Sequence, residues 1–222
     1  SIVNQFFKKD FFRIEEHKPI PELNGEQLII KKIITGFIKS LLKYDKDRTP
    51  FSIFSLEKNF SETLNIETDS GKVSLSVGGI IDRIDLKDGN LMVIDYKTGG
   101  SATSPNSVED IFISDKKRAS HIFQILLYCL ILQKKYPEKV ITPNILYMNM
   151  AESDKFDPFI KIGLSKNKIM INEFSGISGD FYELLNSSLK NLFNNEIPFL
   201  QTDVTERCEF CDYKNICRRV KD

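Results

Sequence analysis

The chain has 222 residues, of which 31 are basic and 31 acidic, with 41% hydrophobic and 28% charged overall. That length and balance suit one globular domain, 1–222, with a single sizeable core. A net charge of zero excludes a protein that holds nucleic acid chiefly by bulk electrostatics, and no apolar run of about 18 residues is present to cross a bilayer. The first residues, Ser1-Ile2-Val3-Asn4-Gln5, carry no basic stretch leading into an apolar core, so an intracellular, cytoplasmic setting is expected.

After a loop containing Pro19 and Pro21, apolar residues recur at helical spacing from Gly25 to Leu42 (Leu28, Ile29, Ile33, Ile34, Phe37, Leu41), which predicts an amphipathic helix. Pro50 ends it. Phe51–Leu56 leads into segments rich in β-branched residues at Glu62–Glu67, Lys72–Leu86 and Leu91–Tyr96, which read as antiparallel strands. Between the last two, Lys87-Asp88-Gly89-Asn90 is a hairpin turn, because Gly89 accepts the positive φ such turns need. A Gly/Ser/Thr-rich loop spans Thr98–Asn106, and helical periodicity resumes over Ala119–Gln133. Strands are expected at Val140–Met148 and Phe159–Ile162, then a helix over Gly179–Phe193 and a cysteine-rich tail, 203–222. This order predicts an α/β (α+β-like) fold, a central mixed β-sheet flanked by helices.

The chemistry concentrates at the hairpin. A turn centred between Asp88 and Gly89, with a loop of either two or four residues, sets Asp82 directly opposite Asp95. Lys97, two residues further along, shares the face of Asp95 because strand side chains alternate. Opposed carboxylates sit about 4.5–5.5 Å apart at Cβ and repel, so something must compensate. A divalent Mg²⁺ or Mn²⁺ does so, taking carboxylate oxygens and keeping waters, one of which can attack a phosphodiester. The Lys97 ammonium can orient that water or stabilise developing negative charge. The plainer reading is a surface face with an Asp–Lys ion pair. Asp85 belongs to the opposite face, as a partner for Arg83. Basic runs at Lys8-Lys9, Lys31-Lys32, Lys116-Lys117-Arg118 and Arg218-Arg219 read first as solvated surface.

Gly78-Gly79-Ile80-Ile81-Asp82-Arg83-Ile84-Asp85 resembles the G-x-x-D-R-[IV]-D strand of RecB/AddB-type exonucleases of the PD-(D/E)XK nuclease superfamily, and Ile94-Asp95-Tyr96-Lys97-Thr98-Gly99 resembles their [IVL]-D-Y-K-[TS]-G strand. The resemblance implies a restriction-endonuclease-like core, Asp82 and Asp95 as Mg²⁺ or Mn²⁺ ligands, and Lys97 as the catalytic lysine. The same family carries Q-x-x-x-Y on the next helix, matched here by Gln124 and Tyr128, one turn apart on one face. By resemblance these two contact DNA or position the site. Glu57, just ahead of the first strand, resembles a family glutamate and is a secondary site candidate, as is His121, one turn before Gln124. His17 reads as exposed.

Cys208-x-x-Cys211-x5-Cys217 reads as a metal or iron–sulfur site rather than as disulfides. It resembles the C-terminal cysteines of AddB-type nucleases, where a fourth cysteine far upstream completes a [4Fe–4S] cluster; zinc would suit the same soft ligands. Cys129, on the apolar stripe of its helix, is expected in the core. The family's upstream cysteine would precede Ser1, so a C-terminal fragment of a longer protein is expected. The resemblance implies a DNA exonuclease, the nuclease module of a helicase–nuclease in double-strand-break repair and recombination, with DNA and a helicase subunit or fused helicase-like region as partners. The alternatives are a non-catalytic DNA-binding or scaffold module of the same fold and a stand-alone CRISPR-adaptation-type exonuclease.

Overall fold

The computed structural model describes residues 2–15, 17–68, 71–100, 102–113, 119–150, 157–164, 167–209 and 211–219. The chain groups into two compact units, one formed by Ser1–Pro50, Lys97–Gly100 and Tyr147–Asp157, the other by Phe51–Tyr96, Ser101–Leu146 and Pro158–Asp222.

In the first unit, a short helix α1 (Ile2–Phe6) runs into a π-helical turn at Phe7–Phe11, where Phe7, Phe11 and Phe12 stack at 5.0–6.2 Å. Neither was expected. Helix α2 (Gly25–Arg48) begins at a reciprocal capping box: the Asn24 side chain accepts from the Gln27 backbone amide at 2.9 Å and the Gln27 side chain accepts from the Asn24 amide at 3.1 Å. The helix extends six residues past the expected Leu42, through a stretch without Gly or Pro, and closes with Arg48 bonded to Asp45 at 3.0 Å. Its apolar stripe remains accessible: Leu28, Ile29 and Ile33 are all exposed.

The second unit is built on a four-stranded sheet in the order β1-β2-β3-β4. Strands β1 (Ser52–Thr68) and β2 (Gly71–Lys87) form a long antiparallel ribbon, and β3 (Asn90–Lys97) returns antiparallel to β2. The first strand, expected at Glu62–Glu67, therefore starts ten residues earlier and runs through Glu57–Ser61 by pairing with β2, its register shifting between Ile53 and Ser55. Helix α3 (Ser120–Lys135) follows, then β4 (Ile141–Tyr147), which joins β3 where Leu91 N donates to Val140 O at 2.9 Å. The sheet is mixed and flanked by helices, the restriction-endonuclease-like plan.

Helix α3 is buried around most of its circumference, through Ile122, Ile125, Leu126, Tyr128, Cys129, Leu130, Ile131 and Leu132. A small hairpin, β5 (Lys161–Ile162) with β6 (Ile169–Met170), replaces the longer strand expected at Phe159–Ile162; Phe159 makes only an isolated bridge to Asn144. Helix α4 (Ser178–Leu192) places Phe181 against Phe112, Phe123 and Phe174, with ring centroids 5.3–6.0 Å apart, and these rings fill the core beside α3. The basic run Lys116-Lys117-Arg118 lies outside the described residues.

Candidate metal-dependent nuclease site

The turn between β2 and β3 has two residues, Asp88 (φ 51°) and Gly89 (φ 82°), with Lys87 paired to Asn90. Both central φ values are positive, as a tight hairpin that follows the strand twist requires. The register then runs without interruption to Arg83 opposite Ile94. The next residue on each strand carries a carboxylate, Asp82 on β2 and Asp95 on β3. At this point the Asp82 side chain joins the two strands, its Oδ2 accepting the backbone N–H of Tyr96 at 2.8 Å. Asp95 is 2% exposed and Asp82 half-buried.

Strand alternation puts Asp82 and Asp95 on one face and Arg83, Asp85, Ile94 and Tyr96 on the other. Lys97 ends β3, two residues beyond Asp95, where the chain passes into the first unit. On the opposite face Arg83 Nε bonds Asp85 Oδ1 at 2.7 Å, both side chains being nearly inaccessible (5% and 0%). The guanidinium also donates to the Tyr96 hydroxyl at 3.2 Å and lies 5.2 Å from the Phe51 ring centre. The expected pairing of Asp85 with Arg83 is thus present, and it is buried.

Gln124 and Tyr128 stand one turn apart on α3 and are bonded to each other, Gln124 Nε2 donating to Tyr128 Oη at 3.1 Å. Tyr128 is 7% exposed and packs onto β2 at Gly79: a Cβ there would lie 2.9 Å from the hydroxyl oxygen. The first glycine of the pair serves another contact, since a Cβ on Gly78 would run into the Phe60 carbonyl of β1. The sequence pattern contained both glycines, but their reasons, a tyrosine from another element and the close approach of the paired strand β1, required the fold.

Glu57 is not ahead of the first strand but inside it, between the pairs Leu56–Arg83 and Lys58–Ile81 and so across from Asp82. Its φ is 46° and it is exposed. His121 is partly accessible on α3, and His17 is exposed and 3.2 Å from Glu15. Among the described residues no three His, Cys, Asp or Glu side chains form a group able to hold a metal, so neither Glu57 nor His121 adds a third protein ligand to the two aspartates.

Two carboxylates fit Mg²⁺ or Mn²⁺, which bind hard oxygens and accept one or two protein carboxylates with the remaining positions left to water and phosphate. The tail does not offer a comparable set. Cys208 is buried and Cys211 and Cys217 partly so, but they form no metal-holding group among the described residues. A [4Fe–4S] cluster takes four thiolates, and Cys129 is 0% exposed in α3, where burial pushes its thiol well above the ordinary range. The described residues therefore do not fit a complete cluster.

Two carboxylates thus stand at paired strand positions, followed by a lysine and by helix α3, in a mixed sheet of the restriction-endonuclease-like plan. The chain belongs to the PD-(D/E)XK nuclease superfamily, whose pattern it matches over residues 2–218. No curated protein matches it. Among solved structures it is similar to the crystal structure of SSO0001, 14% identical, with a TM-score of 0.33 over 86% of this chain and 72% of that one.

Proposed function

We propose that this chain is a metal-dependent DNA exonuclease, the nuclease module of a RecB/AddB-type helicase–nuclease that processes double-strand breaks for repair and recombination. The observation that carries the reading is the placement of Asp82 beside Asp95 on one face of a hairpin whose register is held by a tight turn and by the Asp82–Tyr96 bond. The D-R-I-D and D-Y-K-T-G patterns around these residues, and the superfamily match, support it.

Asp82 and Asp95 would hold Mg²⁺ or Mn²⁺, which supplies an activated water and neutralises charge on the scissile phosphate. Their own negative charge, set side by side with little solvent, creates the site for a cation. Lys97 orients the attacking water and stabilises the negative charge that builds on the phosphoryl oxygens. Gln124 and Tyr128, bonded to each other on α3 with Tyr128 packed on Gly79, would position the β2 segment leading to Asp82 or contact the DNA backbone. Cys208, Cys211 and Cys217 are proposed to bind a [4Fe–4S] cluster, or zinc, with a further ligand from outside the described residues.

The test is nucleotide release from linear and from closed-circular DNA with Mg²⁺ or Mn²⁺, for the parent chain and for Asp95→Ala and Lys97→Ala. The reading expects release from linear DNA only, lost on chelation and reduced at least about 100-fold in each variant. Cleavage of the circle would replace the exonuclease with an endonuclease. Full activity in Asp95→Ala would remove this site from the chemistry.

A further inference from the structure

We infer that Arg83 and Asp85, on the face of the hairpin turned away from the two carboxylates, are positioning residues that act through Tyr96 to set the spacing between Asp82 and Asp95. The inference rests on the reading of those two aspartates as metal ligands.

The bonds form a continuous path around the two strands. Asp85 Oδ1 holds Arg83 Nε at 2.7 Å, Arg83 Nη1 donates to Tyr96 Oη at 3.2 Å, and the Tyr96 backbone amide donates to Asp82 Oδ2 at 2.8 Å. Tyr96 is thus held at both ends, its ring by Arg83 and its backbone by Asp82. It directly follows Asp95, as Arg83 directly follows Asp82. Any shift of one strand past the other at this level must stretch one of these bonds.

A pair meant only to stabilise the core could be apolar at lower desolvation cost, because burying a guanidinium and a carboxylate offsets much of their attraction. What an apolar pair would lack is directionality: Arg83 Nε is taken by Asp85, which aims Nη1 at the Tyr96 hydroxyl. Two repelling carboxylates need that constraint, since without it they relax apart. Groups that orient metal ligands typically change metal affinity by about 10–100-fold when removed.

The test uses Mn²⁺ alone, measured by electron paramagnetic resonance on the whole chain, with thermal unfolding in parallel. Tyr96→Phe removes only the hydroxyl; Arg83→Lys keeps the charge and loses the fork. Both variants are expected to bind Mn²⁺ about 10-fold or more weakly, and nuclease turnover of Tyr96→Phe is expected to recover at high Mn²⁺. Tyr96→Phe can be judged even if Arg83→Lys fails to fold. Parental Mn²⁺ affinity in a folded Tyr96→Phe overturns the positioning role while leaving the metal site intact. Absence of any Mn²⁺ binding that depends on Asp95 in the parent chain overturns both readings together.

Discussion

The backbone amide of Tyr96 donates to Oδ2 of Asp82 across the hairpin at 2.8 Å, so one carboxylate both joins two strands and faces a second carboxylate, Asp95. These roles separate on substitution. Asp82→Asn keeps an oxygen for the Tyr96 amide but loses the charge. It is expected to unfold within about 1 kcal/mol of the parent, the size of one ordinary hydrogen bond, while losing Mn²⁺ binding. Calorimetry alongside a Mn²⁺ titration checks both; intact Mn²⁺ binding would show that the carboxylate is structural only.

The Arg83–Asp85 pair is almost wholly removed from water. Asp85→Ala leaves a buried guanidinium without its carboxylate and is expected to cost about 3–5 kcal/mol. The double variant Arg83→Met/Asp85→Leu removes both charges and is expected to unfold later than Asp85→Ala. Urea denaturation of the three chains decides it, and equal midpoints for single and double variants would contradict the account.

Gly79 leaves room for Tyr128. A Cβ at this position would lie 2.9 Å from Oη and 3.1 Å from Cε1, so Gly79→Ala must displace the ring and is expected to destabilise by about 1–3 kcal/mol. In a Tyr128→Phe background the nearest atom is gone and the cost of Gly79→Ala should shrink. A double-mutant cycle measures that coupling; additive effects would mean that the two residues do not press on each other.

Cys129 is buried in α3 and burial raises its thiol pKa well above the ordinary value. The folded state therefore keeps the neutral thiol while the unfolded chain ionises near pH 8.5. The stabilisation is fully present below that pH and is lost as pH rises through and beyond it. Stability is expected to fall above about pH 8.5 less steeply in Cys129→Ala than in the parent, as denaturant midpoints across pH would show. Alkylation of the native chain at pH 8 should modify the partly exposed Cys211 and Cys217 ahead of Cys129.

Gly89 sits at φ 82° in the hairpin turn that sets the register of β2 and β3. Gly89→Ala is expected to cost about 1–2 kcal/mol, the steric penalty of a left-handed residue with a Cβ. The unfolding midpoint reports it, and an unchanged midpoint would mean that the turn is not under this constraint.

Local rules sufficed where the determinants are close in sequence. Asp88-Gly89 specified the centre of the turn, whether of two or four residues, and with strand alternation that was enough to set Asp82 beside Asp95 and to put Asp85 with Arg83 on the far face. The α3 stripe identified Cys129 as core, and the strand–helix–strand order specified the mixed sheet with its flanking helices. What failed depended on partners distant in the chain. Glu57 was expected ahead of the first strand, yet pairing with β2 carries β1 through Glu57–Ser61 and places Glu57 inside the strand. The burial of the Arg83–Asp85 pair, the contact that makes Gly79 necessary, and the Tyr96–Asp82 bond are set by elements that meet only when the sheet and α3 are assembled. Periodicity in a sequence reports which way a side chain points, but what it meets there is decided by packing.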